Sequence, residues 1–73
     1  MTPTPSDLKI IAANGGGMIL DASKITPLDL KIIAANASSH QAAITLRNAG
    51  CLTPSDMKII AANSKGCVVF DFA

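Results

Sequence analysis

The segment TPSDLKIIAAN at residues 4–14 returns as TPLDLKIIAAN at 26–36 and as TPSDMKIIAAN at 53–63. The copies are offset by 22 and 27 residues. Self-similarity at such a period marks stacked supersecondary units, each unable to bury its apolar face alone. Every copy opens as a helix for local reasons. Thr4, Thr26 and Thr53 are N-cap residues whose hydroxyl accepts from an orphan backbone N–H. Pro5, Pro27 and Pro54 follow at the first helical position, where a missing N–H costs nothing. Asp7, Asp29 and Asp56 fall in the first turn, suited to a short capping box and to the positive end of the helix dipole. Asn14, Asn36 and Asn63 are expected to end the helices in the left-handed conformation, ahead of Gly15–Gly17 and of Ser64-Lys65-Gly66. Helices of about ten residues result, too short to be stable alone.

Strand character lies between them, in Met18–Asp21, Ala43–Arg47 and Cys67–Phe72. The last two are rich in β-branched residues with partial alternation. The order α-β-α-β-α-β predicts one α/β domain over residues 1–73: three short helix–strand repeat units, a mostly parallel sheet, right-handed crossovers and helices on one sheet face. On the uncovered face, Thr45, Arg47 and Asp71 suit solvent, whereas Val69 and Met18 or Leu20 do not.

The stretch ITLRNAGCLTPSDMKIIAAN (44–63) resembles one leucine-rich repeat of the ribonuclease-inhibitor type. Ile44, Leu46, Asn48, Cys51 and Leu52 occupy its pattern positions, and the 27-residue offset fits its length. The first interval is five residues shorter and has Asp21 where the second has Asn48. Over about two units, the resemblance implies an LRR-like mini-solenoid and a protein-binding surface.

Helix geometry singles out one residue per copy. At about 100° per residue, Ile11 and Ala12 fall within about 60° of Leu8 and make the stripe expected to pack on the sheet, while Ile10 lies about 200° away. Ile32 and Ile59 repeat the placement. An aligned apolar row marks a contact surface, unless the helices rotate so that both Ile of each pair are half-buried. Phe70 and Phe72, the only aromatics, end the chain's last apolar run; they either close the core or form an edge that pairs with a second chain. Ile10, Ile32, Ile59, Phe70 and Phe72 are therefore the interface candidates.

Lys9, Lys31 and Lys58 recur at one helix position, so stacked helices would align them at roughly 10 Å intervals. With Arg47 they are the candidates for anion contact in a small regulatory protein; the competing reading is a solvated face. The net charge of +1 argues against a dedicated nucleic-acid binder. No metal or cofactor set is visible: His40 is the one histidine, and Cys51 and Cys67 stand sixteen residues apart, as expected of reduced thiols. Gly15–Gly17 follow a helix rather than a strand, the reverse of a phosphate-cradling loop. The N-terminal sequence lacks a basic region and a long apolar run, and no stretch approaches the ~18 apolar residues of a membrane span. The sequence therefore reads as a cytoplasmic, non-enzymatic interaction or assembly module without a cofactor, forming a homo-oligomer or binding a protein partner.

Overall fold

The computed structural model describes residues 4–72. Three helices, α1 (Pro5–Ala13), α2 (Pro27–His40) and α3 (Pro54–Ser64), alternate with three strands, β1 (Met18–Asp21), β2 (Ile44–Arg47) and β3 (Val68–Phe70). The strands form one parallel sheet in sequence order, with Met18 opposite Ile44 and Ile44 opposite Val68. Short 3-10 turns at Ala22–Lys24 and Ala49–Cys51 lead from the first two strands towards the next helix.

Helix starts follow the sequence signals. The hydroxyls of Thr4, Thr26 and Thr53 accept from the backbone N–H of Asp7, Asp29 and Asp56 at 3.3, 3.3 and 3.2 Å. Helix ends depart from expectation. Asn14 does cap α1, but with φ −99° rather than a left-handed value. Asn36 lies inside α2, which runs on to His40, and the left-handed cap is Gln41. In α3 it is Lys65, not Asn63. The glycines after Asn14 stop α1, with Gly15 at φ +86°, whereas Ala37 and Ser64 at the equivalent position are buried helical residues. His40 is thus the exposed last residue of a 14-residue helix.

The unequal spacing has a specific origin. Met18 follows Asn14 by four positions but Ile44 follows Asn36 by eight, the excess lying in the longer end of α2 and its exit. One further residue is Asn48. Asp21 pairs with Arg47, so Asn48 is inserted after the strand and takes a left-handed conformation (φ 57°).

The core lies between the sheet and the helices. Ile44 and Leu46 of the central strand are fully buried, as are Leu30, Ile33, Ala34 and Ala37 of the central helix. Met18, Val68 and Phe70 pack against them half-buried. Because side chains alternate along a strand, Met18 and Leu20 face the helices together with Ile44 and Leu46. The uncovered face instead carries Ile19, Thr45 and Val69 in one register row, with Ile19 and Val69 exposed. Val69 is where the sequence put it; Ile19 takes the place expected of Met18 or Leu20, because β1 pairs in the register that turns Leu20 inward.

Candidate self-association surfaces

Ile10, Ile32 and Ile59 point out of the helix layer at 61%, 38% and 44% exposure. Their helices are adjacent, α2 packing against α1 on one side and α3 on the other. The three side chains therefore occupy one repeat position on three adjacent helices.

The second Ile of each pair behaves differently. Ile33 and Ile60 are 1% and 0% exposed, yet Ile11 is 39% exposed. Ala12 and Ala34 are buried, yet Ala61 is exposed. The sequence places these residues in one core stripe, and the stripe is complete only in α2. The reason is lateral packing. The Ile33 position is covered by the helix before it and the Ala34 position by the helix after it; α1 has no predecessor among the described residues and α3 no successor.

Polar groups repeat the same pattern. Lys9 Nζ lies 3.0 Å from Asp29 Oδ1, and Lys31 Nζ 3.0 Å from Asp56 Oδ1. Asn36 donates its side-chain amide to the carbonyl of Lys9 at 3.3 Å, and Asn63 donates to that of Lys31 at 3.5 Å. Each junction thus joins the Lys side chain and backbone of one helix to the Asp and Asn of the next. The Lys9 and Lys31 hydrogen bonds hold the Asp29 and Asp56 carboxyls below their ordinary value, with Thr26 and Thr53 adding to the effect. Asp7 has no preceding lysine and folds back on its own helix, accepting from the Thr4 N–H at 3.0 Å in a full capping box. Asn14 likewise turns to its own helix, donating to the Ile10 carbonyl at 2.8 Å.

Two of the four basic side chains considered for anion contact, Lys9 and Lys31, are therefore engaged between helices. Lys58 is exposed and makes no ion pair among the described residues. Arg47 is exposed at the end of β2. Lys9 and Lys31 thus act as rungs between helices, a use that no sequence signal distinguishes from an open cationic face.

Both β1 and β3 are sheet edges. Phe70 is half-buried against the core, while Phe72 lies beyond the strand and is exposed. The tail after β3 is anchored by the Asp71 N–H, which donates to the Leu46 carbonyl at 2.8 Å, and by the Ala49 N–H, which donates to the Asp71 carbonyl at 2.9 Å.

Chemical groups are sparse. Cys51 and Cys67 are both free thiols, and no cluster of three metal-ligating side chains occurs among the described residues. Asp21 accepts from the Ser23 backbone and hydroxyl; Ser23 and then the Asn48 side chain hold its carboxyl below the ordinary value. An open apolar depression of about 470 Å³ borders this turn, lined by Ala22, Ile25, Cys51 and Leu52 among others. No helix among the described residues is long and apolar enough to cross a membrane. Compared with known proteins, the chain matches no family model, no curated protein and no solved structure at a significant level.

Proposed function

We propose that this protein is a non-enzymatic assembly module that associates with further copies of itself. The observation that carries the reading is the exposure of Ile10, Ile32 and Ile59 at one repeat position on three neighbouring helices. Isolated exposed apolar residues are ordinary, but a contiguous row is characteristic of a contact surface. The exposed Ile19 and Val69 on the other side of the sheet add to the uncovered apolar area. A small two-layer domain gains most from such contact, because it buries a low fraction of its own surface. The LRR-like mini-solenoid reading belongs to the same proposal; its support is the repetition of one junction between successive units, and the protein-binding role follows from that likeness by analogy.

The test is a triple variant, Ile10→Lys/Ile32→Lys/Ile59→Lys. The expected result is a folded protein, by circular dichroism, whose self-association is at least ten-fold weaker than wild type in sedimentation equilibrium. Unchanged association would remove the row from the interface.

A further inference from the structure

The two ends of the helix layer are complementary halves of the junction that occurs twice inside it. The face of α3 that has no neighbour among the described residues presents exposed Lys58 and exposed Ala61, with the Lys58 carbonyl at the Lys9 and Lys31 position. The face of α1 that has no neighbour among the described residues presents exposed Asp7, Ile11 and Asn14. Lys with Asp and Asn with the Lys carbonyl are the pairs that meet between α1 and α2 and again between α2 and α3, where Ala12, Ile33, Ala34 and Ile60 are buried. The sheet ends in the same sense, with β1 and β3 as parallel edges of opposite side.

We propose that a second copy of this chain docks head to tail, its α1 against α3 of the first. This rests on the self-association reading above and adds a second contact to it, made by the lateral faces of α1 and α3 rather than by the outward Ile row. Lys58 meets the partner's Asp7, which leaves its capping box as Asp29 and Asp56 have done. The partner's Asn14 turns from the Ile10 carbonyl to that of Lys58. The partner's Ile11 enters the position that Ile33 and Ile60 fill, beside Ala61. β3 then takes the partner's β1 as a parallel neighbour, with Val68 opposite Met18 if the internal register continues. The occupant is argued from complementarity of charge, of hydrogen bonding and of side-chain size at once. The internal junctions show that the match tolerates different linker lengths, since α1–α2 and α2–α3 form the same rungs across offsets of 22 and 27 residues. Such a contact is heterologous, so it does not stop at two copies unless the ring closes.

The experiment uses two variants, each blocked at one end and each made in the Ile10→Lys/Ile32→Lys/Ile59→Lys background, so that only the head-to-tail contact is read. Ala61→Arg fills the tail face with a bulky cation; Ile11→Arg does the same at the head and faces Lys58 with a like charge. Each alone is expected to be monomeric, weakened at least ten-fold, with circular dichroism and thermal midpoint confirming the fold. Mixed in equal amounts they are expected to form a heterodimer and nothing larger, because one free tail meets one free head. Asp7→Lys serves as the head-blocked partner if Ile11→Arg fails to fold. Association of either variant alone at wild-type strength, or a mixture that stays monomeric while wild type assembles, overturns the head-to-tail geometry and leaves the Ile row standing. A wild type monomeric at millimolar concentration overturns both.

Discussion

Lys9 Nζ and Asp29 Oδ1 stand 3.0 Å apart, and the pair recurs one unit on as Lys31 and Asp56 at the same distance. The repeated sequence thus encodes the contact between units as well as the unit itself. The lysine near the middle of one helix reaches the aspartate in the first turn of the next. Surface ion pairs of this kind contribute little to stability; their value here lies in fixing which sides of the helices meet.

The pH dependence follows from those pairs. Asp29 and Asp56 titrate below 3.8 in the folded protein. A depressed folded pKa gives stability that is complete above the unfolded value and is lost as pH falls through the folded one. The thermal midpoint of wild type should therefore be lowered by acid below about pH 4. Asp29→Asn/Asp56→Asn should be the less stable protein at neutral pH, and the difference should vanish in strong acid. Asp21 titrates in the same direction through Ser23 and Asn48, so some acid sensitivity should persist in the double variant.

Equivalent isoleucines should differ sharply in cost. Ile33→Ala removes a core side chain that is 1% exposed and should destabilise by about 2–5 kcal/mol, enough to unfold much of a small domain. Ile10→Ala, on the outward row, should change the stability of the monomer by no more than about 0.5 kcal/mol. Urea denaturation at low protein concentration measures both.

The caps are expected to act independently of the junctions. Thr53→Ala removes the acceptor for the Asp56 N–H and should cost about 1 kcal/mol, while Thr53→Ser should be close to neutral. A similar loss from Thr53→Ser would show that the hydroxyl is not the operative group.

Removal of residues 70–73 should be strongly destabilising. It takes away Phe70 from the core and Asp71 from its backbone bonds to Leu46 and Ala49. Circular dichroism of the truncated chain should show loss of cooperative unfolding; a sharp transition at the wild-type midpoint would contradict the role given to this tail.

What the sequence made legible was local. Thr, Pro and Asp specify each helix start through bonds within four residues, so those positions are as expected. Helix ends were less readable, because Asn36 and Asn63 use their amides on the neighbouring helix rather than on their own last turn. The uncovered sheet face depended on register, which a single residue such as Asn48 can shift. The split between Ile11 and Ile33 was invisible: identical segments have identical helical wheels, and only the presence of a helix on one side separates them. The same holds for Lys9, whose partner lies in the next unit.

Self-association is tested most directly by the mass of the unmodified protein as its concentration is raised, measured by light scattering during size exclusion. The account predicts a mass that climbs with concentration from 7.5 kDa through the dimer to larger species. A mass fixed at that of one chain up to millimolar concentration would contradict it.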